Sequence, residues 1–215
     1  MGASKKSQLT GSGSLRVIAG IYRGRRLRTL AGSQTRPTSD RLRETFFNIV
    51  SPWVKGAVFL DLCAGSGAIG IEALSRGASR AVFVEISRTA SAIIDENLCH
   101  VDADRHAAIV TQDVISALKL LAARNQAFDL IYFDPPYDSN LYDPVIGQIA
   151  SSELLRERGL LIVEHQSRRA LEESYGGLTR YREVRQGNSA LAFYRRDSSN
   201  LQLILEAPAR GSDNV

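Results

Sequence analysis

The chain has 215 residues, 44% of them apolar and 23% charged, with a formal net charge of +4. This length and composition fit one sizeable α/β domain, alone or with a small appendage, and exclude a wholly disordered chain. No apolar run is long enough to span a bilayer and the N-terminus lacks the apolar core of a signal peptide, so we expect a cytoplasmic protein with no membrane partner.

The N-terminal part of the chain is polar at first and then basic. Residues 1–14 are rich in Gly, Ser and Lys and show no periodicity, which predicts a flexible leader. Two short runs, residues 15–19 and 26–30, flank a glycine-containing turn at residues 20–24. This arrangement predicts a small basic β-hairpin.

The basic residues of this region are arginines. Of the 27 basic residues in the chain only four are lysines, and eight arginines lie between residues 15 and 43 against a single acid, Asp40. The planar guanidinium pairs bidentately with phosphate and stacks on bases. A solvated basic face or a genomic bias towards arginine would produce the same composition, but the concentration in one segment favours contact with nucleic acid.

A helix is predicted after the hairpin. Thr38 or Ser39 suits its N-cap, since both side chains carry a hydroxyl oxygen that can accept a backbone N–H. The following residues give it an apolar face of Leu42, Phe46, Ile49 and Val50. We assign residues 15–50 to the basic hairpin and this helix.

From residue 58 onward, apolar runs alternate with helical patterns. The runs predict five strands, at residues 58–62, 81–85, 107–111, 128–133 and 160–165. Between them, helices are predicted at residues 68–76, from Ser87 towards His100, at 114–123 and after Tyr142. Such alternation implies a parallel sheet with helices on both faces.

Two further runs complete the predicted sheet. Residues 178–186 and 190–195 are joined by Gly187-Asn188-Ser189, which predicts a terminal antiparallel hairpin. The fold class is therefore α/β, Rossmann-like, with a mostly parallel seven-stranded sheet and a C-terminal antiparallel hairpin. We assign residues 51–197 to this domain and residues 198–215 to a tail.

The cysteines and histidines favour neither a disulfide nor a metal site. Cys63 and Cys99 are expected to be small buried thiols, as is usual in a reducing compartment. His100, His106 and His165 show no metal-ligand spacing with the cysteines. We expect no metal.

The fourth predicted strand ends in Asp134-Pro135-Pro136-Tyr137. In open α/β sheets the carboxyl ends of the strands are where ligands bind. Proline has no N–H and a fixed φ, so these residues present rigid carbonyl acceptors beside a carboxylate and a ring. They suit a planar group that donates N–H bonds, such as the exocyclic amine of a nucleobase. The alternative is a strand-ending turn with a surface tyrosine.

The first predicted strand ends in a glycine-rich turn that runs from Asp61 to Gly70. It contains G-x-G-x-x-G directly after a strand and at the start of a helix, and Glu85 follows Gly65 by twenty residues. This context is typical of dinucleotide binding, in which the acid accepts from ribose hydroxyls. On these residues alone NAD is a serious candidate.

Two acidic features favour a different ligand. Asp61 at the end of the first strand would repel a pyrophosphate but suits an ammonium or sulfonium, and the motif at Asp134 has no evident use in hydride transfer. S-adenosylmethionine fits, with its ammonium near Asp61, its ribose on Glu85 and its adenine beside Asp113. Alternatively, Asp61 caps the following turn and Asp113 is only a helix N-cap.

These segments together resemble a known family. The chain is similar to class I S-adenosylmethionine-dependent methyltransferases and, more narrowly, to the bacterial 16S rRNA guanine-N2 methyltransferases of the RsmD type. The resemblance covers roughly residues 15–196 and is carried by RVIAGIYRGRRL (16–27), RPTSDRLRETFFNI (36–49), LDLCAGSGAIGIEALSRGA (60–78) and FDPPY (133–137). Cys63 stands where the family more usually has Phe.

The resemblance implies a role for each of the site residues. The cofactor S-adenosylmethionine would be bound by Asp61, Ala64, Gly65, Ser66, Gly67, Glu85, Ile86, Asp113 and Val114. Catalysis would fall to Asp134, Pro135 and Tyr137. The substrate, 16S rRNA in the small ribosomal subunit, would be held by Arg23, Arg25, Arg26, Arg36, Thr38 and Tyr137, with Arg36 and Thr38 acting as a lid.

The chemistry of guanine indicates how the motif would work. The exocyclic amine is a poor nucleophile because its lone pair is delocalised into the ring. If Asp134 and the Pro135 carbonyl accept its two N–H bonds, the nitrogen can pyramidalise towards the methyl sulfonium. Tyr137 would stack on the flipped-out base.

Three other functions stay open on the sequence. A DNA adenine or cytosine amino-methyltransferase shares both motifs, although this chain has little room for a target-recognition domain. An NAD-dependent oxidoreductase and a catalytically idle RNA-binding protein are the other two. Nothing in the sequence indicates an obligate oligomer, so we expect a monomer.

Overall fold

The computed structural model describes residues 15–29 and 40–196 of the chain. Several predictions fall outside these residues: the leader 1–14, the tail 198–215, the lid residues Arg36 and Thr38, and the N-cap at Thr38 or Ser39. The helices in the described ranges are too short or too polar to span a bilayer.

Within residues 15–29 and 40–196, the fold consists of five α-helices and eight β-strands. The helices are α1 (Asp40–Val54), α2 (Ala68–Ser75), α3 (Arg88–His100), α4 (Val114–Ala123) and α5 (Tyr142–Ala150). The strands are β1 (Val58–Leu62), β2 (Arg80–Val84), β3 (Ala107–Val110), β4 (Phe128–Phe133), β5 (Leu155–Gln166), β6 (Ser174–Tyr175), β7 (Leu178–Gln186) and β8 (Ser189–Arg196). A 3₁₀ turn at Asp104–His106 precedes β3.

The strands form one sheet in the order β3-β2-β1-β4-β5-β8-β7-β6. Strands β1 to β5 run parallel, and β8, β7 and β6 add antiparallel pairs. The seven predicted strands are all present, and β6 extends the sheet by two residues, too few to give a sequence pattern. The direction of strand order reverses between β1 and β4, so the crevice at their carboxyl ends is the expected ligand site.

Two predicted elements are longer than expected. Strand β5 begins at Leu155, whereas the sequence predicts a start at residue 160. The prediction missed the first residues of the strand because residues 156–158 are charged and exposed and show no apolar pattern. Helix α1 continues to Val54, past the boundary that we placed at residue 50, and includes Pro52. The helix therefore belongs as much to the main domain as to the basic hairpin.

Each face of the sheet has its own apolar core. On the first face, α1, α2, α3 and the N-terminal hairpin pack on the sheet; Phe46 of α1, for example, lies 4.8 Å from Tyr132 of β4 between ring centroids. On the second face, α4 and α5 cover the sheet through residues such as Leu118 and Ile146. Helices on both faces confirm the predicted α/β architecture.

The basic hairpin is present and docks on α2. A single antiparallel bridge joins Arg16 to Arg26 around the turn. The fully buried carboxylate of Glu72 accepts from the backbone N–H groups of Ile18 at 2.7 Å and Ala19 at 2.9 Å. Arg76 Nε donates to the same carboxylate at 2.7 Å, which balances its charge. The hairpin is thus held by a satisfied buried polar group as well as by apolar contact.

Gly20 lies where the hairpin approaches α2 most closely. Its φ is +83° and a Cβ there would lie 1.9 Å from the Ser75 carbonyl oxygen. We expect Gly20→Ala to lower the free energy of unfolding by about 2 kcal/mol or more, through overpacking against backbone. Amide hydrogen exchange should also accelerate at Ile18 and Ala19.

The control for this substitution is Gly24→Ala. Gly24 has the same φ of +83° but has no atom within 4 Å of its Cβ position. Its replacement by alanine is expected to cost only the left-handed backbone strain, about 1–2 kcal/mol. Equal effects of the two substitutions would show that close docking at Gly20 contributes nothing.

The two cysteines differ from expectation in one respect. Both are free thiols, but only Cys63 is partly buried, whereas Cys99 is exposed on α3. The prediction that Cys99 is buried was wrong because the helical apolar face of α3 is formed by Ile94 and Leu98, and Cys99 follows Leu98 by one residue, off that face. Burial and the nearby carboxylates raise the pKa of Cys63 to about 12, so this thiol is not activated as a nucleophile.

Candidate active site

Three acidic side chains meet at the carboxyl ends of adjacent strands. Asp61 lies in β1, Asp134 follows β4, and Glu164 lies near the end of β5. Asp61 pairs with Tyr132, and Tyr132 pairs with Ile162, two residues before Glu164. Because residues two apart in a strand share a face, all three acids lie on the first face of the sheet.

Tyrosine hydroxyls connect Glu164 to the Asp134 motif. Tyr132 Oη donates to Glu164 Oε2 at 2.5 Å, and Tyr137 Oη donates to Glu164 Oε1 at 3.3 Å. Tyr137 Oη also lies 2.6 Å from Ser189 Oγ, at the start of β8. The segment after β4 is therefore fixed against both β5 and the tip of the C-terminal hairpin.

The acids perturb one another. Burial, followed by the charge of Glu85, raises the pKa of Asp61 to about 8, although the Gly70 N–H opposes this rise. Burial, followed by the charges of Glu164 and Asp61, raises the pKa of Asp134 well above its usual range. A pocket of this kind disfavours an anionic ligand and is stabilised by a cationic one.

Two acids, Asp61 and Glu85, accept hydrogen bonds from the backbone of the glycine-rich turn. Gly70 N donates to Asp61 Oδ2 at 2.9 Å, and Gly65 N donates to Glu85 Oε2 at 2.8 Å. A Cβ on Gly70 would lie 2.3 Å from the Phe83 ring, so glycine is required there for α2 to pack on β2. Gly65 has a φ of +56° and open space at its Cβ position, which leaves room for a ligand above the turn.

These hydrogen bonds bear on two alternatives raised by the sequence. Asp61 does cap the turn through Oδ2, but its Oδ1 makes no hydrogen bond within residues 15–29 and 40–196 and can accept from a ligand. Asp113 is the N-cap of α4, with its Oδ1 accepting from Ser116 N at 2.9 Å, and this bond lowers its pKa. Asp61 and Asp113 therefore act as caps and still lie at the edge of the pocket.

Ile86 and Val114 complete the edge at the ends of β2 and β3. Ile86 follows Glu85 directly and is 70% exposed, which is unusual for a large apolar side chain. Val114, the first residue of α4, is buried. An exposed apolar side chain beside a ribose-binding acid suits the face of a planar base.

The turn is also joined to the basic hairpin. Asn97 of α3 donates through Nδ2 to Ser66 O at 2.9 Å and to Arg28 O at 3.0 Å, and its Oδ1 accepts from Arg28 N at 2.7 Å. Asn97 is almost completely buried, so the cost of desolvating its amide is offset by three hydrogen bonds. One side chain thus fixes both the Ser66 peptide and the end of the hairpin.

The hairpin arginines lie on the surface. Arg23, Arg25 and Arg26 are all exposed, and within the described part of the chain none of them forms an ion pair. Arg25 Nη1 donates to the His100 carbonyl at 3.2 Å. The predicted phosphate-binding residues among residues 23–26 are therefore accessible.

Sequence reasoning missed two residues of the site. Glu164 and Tyr132 were interpreted only as parts of strands, although Glu164 is an acid that directly follows the apolar residues 160–163 of β5. That signal was available, since a buried acid at the carboxyl end of a parallel strand needs a polar partner. We interpreted Gly187-Asn188-Ser189 as a plain hairpin turn in preference to a lining of the far side of the base pocket, and the structure shows that Ser189 contacts Tyr137.

Several known proteins are similar to this chain in sequence and in fold. The family described as conserved hypothetical protein 95 matches residues 15–195. The Ribosomal RNA small subunit methyltransferase D of Escherichia coli is 34% identical over 194 residues, covering 90% of this chain and 96% of that protein. A putative rRNA methyltransferase of Bacillus subtilis is 36% identical over 182 residues, covering 85% of this chain and 99% of that protein.

A solved structure gives the same result for the fold. A putative methyltransferase from Escherichia coli superposes with a TM-score of 0.73 at 32% identity, covering 86% of this chain and 99% of that one. The family match over residues 15–195 spans the site and both hairpins. The chain therefore belongs to the conserved hypothetical protein 95 family, together with the small subunit rRNA methyltransferases D.

Proposed function

We propose that this protein transfers a methyl group from S-adenosylmethionine to the exocyclic N2 amine of a guanine in 16S rRNA of the small ribosomal subunit. The observation that carries the proposal is the group of buried acids at the β1–β4 edge, directly beside Asp134-Pro135-Pro136-Tyr137. Membership of a family that includes small subunit rRNA methyltransferases supports the reaction and the substrate class.

The residues at the edge fit the cofactor. S-adenosylmethionine supplies an electrophilic methyl group on a sulfonium. Asp61 Oδ1 would accept from its ammonium, and Glu85 would accept from its ribose hydroxyls. Ile86, Asp113 and Val114 would border the adenine. The backbone of the turn, at Ala64, Gly65, Ser66 and Gly67, would allow the ligand to approach closely. Cation binding also opposes the two effects that raise the pKa of Asp61, its burial and the charge of Glu85.

The acceptor amine would be held by Asp134 and the Pro135 carbonyl. Both accept N–H bonds, which lets the amine nitrogen direct its lone pair away from the ring. Glu164 fixes Tyr137 through the hydroxyl, and Ser189 fixes it from the other side. A preorganised Tyr137 ring can stack on the base without losing further side-chain freedom. The attacked nitrogen becomes acidic and releases its proton, for which the ionised Asp134 carboxylate is an adjacent acceptor.

The rRNA would be held through phosphates by Arg23, Arg25 and Arg26, with Arg36 and Thr38 over the site. We also propose that residues 15–50 and 51–197 act as the RNA-contacting and catalytic units, that the protein is a monomer, and that it is cytoplasmic. The exposed guanidinium groups of the hairpin support the phosphate contact.

Methyl transfer to defined acceptors tests the proposal. Tritiated S-adenosylmethionine is supplied with unmodified small ribosomal subunits, protein-free 16S rRNA or duplex DNA, and the products are analysed as nucleosides. We expect N2-methylguanosine from the ribosomal acceptors. Label in DNA alone would instead identify a DNA amino-methyltransferase. Thermal stabilisation by NAD but not by S-adenosylhomocysteine would identify a dinucleotide-binding protein.

The hairpin arginines predict a salt effect. The logarithm of rRNA affinity should fall linearly with the logarithm of salt concentration, and Arg23→Gln combined with Arg26→Gln should reduce the slope by about 1.5. Arg124→Gln is the control, because it removes one arginine charge at the C-terminal end of α4, on the second face of the sheet. It should leave the slope unchanged. An unchanged slope in the double variant would remove these arginines from the RNA interface.

A further inference from the structure

The C-terminal hairpin of β7 and β8 carries arginines with two different surroundings. On the second face of the sheet, Arg180 and Arg185 both pair with Glu183, at 2.9 and 2.6 Å. Arg182 and Arg195 differ from them, since neither forms an ion pair within residues 15–29 and 40–196. Arg182 pairs in register with Phe193, a member of the first-face core, so this side of the hairpin belongs to the first face.

An exposed tyrosine, Tyr181, precedes Arg182 in the chain and lies under the Arg195 guanidinium. The register of β7 and β8 shifts between Arg180 and Arg182, which makes Tyr181 the extra residue of a bulge. Its side chain is 38% exposed, with the ring 6.2 Å from that of Phe193 and the Arg195 guanidinium 5.0 Å above the ring centroid. Phe193 and Arg195 hold the ring in place, so a rigid aromatic plane and two positive charges share one surface. We call Tyr181, Arg182 and Arg195 the hairpin platform.

The hairpin platform lies on the same side of the sheet as the site. Asp134 and Glu164 are on the first face, and the Val17 side chain of the basic hairpin belongs to the same core as Phe193. Strand β7 is three strands from β4 in the sheet, a lateral distance of about 15 Å. Through Phe193 and Ile162, the register places Arg182 level with Tyr132, two residues before Asp134. RNA that places a base at Asp134 can therefore reach the hairpin platform within a few nucleotides.

The chemistry of the platform matches single-stranded RNA. Unstacked bases of RNA bind by stacking on aromatic rings and on guanidinium planes, and phosphates pair with arginine. We propose that the hairpin platform binds the single-stranded RNA that flanks the target nucleotide, with a base stacked on Tyr181 or Arg195 and phosphates near Arg182. This inference rests on the proposed RNA methyltransferase function and names a second part of its RNA interface.

The test measures RNA affinity and methyl transfer separately. Wild type, Tyr181→Ala, Tyr181→Phe, Arg195→Gln and the second-face control Arg185→Gln are compared by filter binding of 16S rRNA and by methylation of small subunits. We expect Tyr181→Ala to weaken RNA binding and raise KM for the subunit by about 5-fold or more, since stacking of one base contributes about 1–3 kcal/mol. Its kcat and its affinity for S-adenosylhomocysteine should not change.

The other variants separate stacking from folding. Tyr181→Phe should restore binding, and Arg195→Gln should weaken it and lower the salt slope by about 1, whereas Arg185→Gln should do neither. Wild-type RNA affinity in both Tyr181→Ala and Arg195→Gln would overturn the inference. The inference would also be overturned if Tyr181→Ala lost thermal stability and S-adenosylhomocysteine affinity along with RNA affinity, since the tyrosine would then act through folding. If wild type binds RNA but methylates none of it, the proposed function fails, and the binding data still decide on the platform.

Discussion

Replacing Asp134 by alanine is expected to lower kcat for methyl transfer by about 100-fold or more, the effect typical of removing one preorganised polar group from a reaction centre. Alanine leaves the amine with only the Pro135 carbonyl as acceptor, so the nitrogen loses the geometry that exposes its lone pair. Affinity for S-adenosylhomocysteine should change by only a few-fold. The measurement is single-turnover methylation of small subunits with saturating enzyme. Near-normal turnover by this variant would remove Asp134 from catalysis.

Asp134→Asn is the matched variant, because its amide keeps a carbonyl oxygen of similar position. It should retain much more activity than Asp134→Ala. It should also flatten the pH profile. Burial and the charges of Glu164 and Asp61 raise the pKa of Asp134, so the wild-type carboxyl ionises only as pH rises through that raised value. Since the ionised form is the better acceptor, kcat/KM should increase with pH in the wild type. Equal activity of the Ala and Asn variants would show that no acceptor is needed at this position.

Replacing Asp61 by asparagine is expected to weaken cofactor binding while it stabilises the ligand-free protein. The carboxylate would make a charge-assisted hydrogen bond to the ligand ammonium, and such bonds contribute about 1.5–3 kcal/mol. The affinity for S-adenosylhomocysteine, measured by isothermal titration calorimetry, should therefore fall by about 10-fold or more. Asparagine can still accept from Gly70 N, so the glycine-rich turn should keep its shape.

The stability effect of Asp61→Asn should depend on pH. The pKa of Asp61 is about 8 in the folded protein and near its usual value of about 3.9 in the unfolded chain. Between these values the unfolded chain is ionised while the folded protein holds the proton, so wild-type stability falls as pH rises from about 4 to about 8. The variant lacks this loss, which amounts to about 1.4 kcal/mol for each pH unit between the two pKa values, and should be more stable than wild type at pH 8 by several kcal/mol, with little difference near pH 4.

Asp129→Asn is the control for Asp61→Asn. Asp129 lies in the same sheet near the opposite end of β4, where its carboxylate accepts from Val58 N at 2.8 Å and pairs with Arg156. Its replacement should leave cofactor affinity unchanged and should not produce the gain in stability at pH 8. Thermal unfolding without ligand at pH 5 and pH 8 checks both variants. A gain in the Asp129 variant, or none in the Asp61 variant, would contradict the pKa that we assign to Asp61.

Much of the fold could be predicted because its signals are local. Strands β1, β4 and β7 and helix α4 have the predicted bounds, since β1 and β4 are mainly apolar runs, α4 has a helical pattern, and Gly187 directly follows β7. The errors occur where the local signal is weak. Strand β6 has two residues, β5 begins among exposed charges, and the exposure of Cys99 depends on which side of α3 meets the sheet.

The residues of the site also fall into those that a local sequence pattern predicts and those that it does not. The order of strands and helices along the chain is enough to bring Asp61, Glu85 and Asp134 together, because the carboxyl ends of parallel strands meet at one edge of a sheet whatever the details of packing. Other contacts depend on how the elements pack: Glu164 binds Tyr132 and Tyr137, Asn97 joins Ser66 to Arg28, and Glu72 holds the hairpin. These contacts join residues 27 to 69 positions apart, and a buried polar group takes whichever partner the packing brings within about 3 Å, so no local pattern in the chain specifies them.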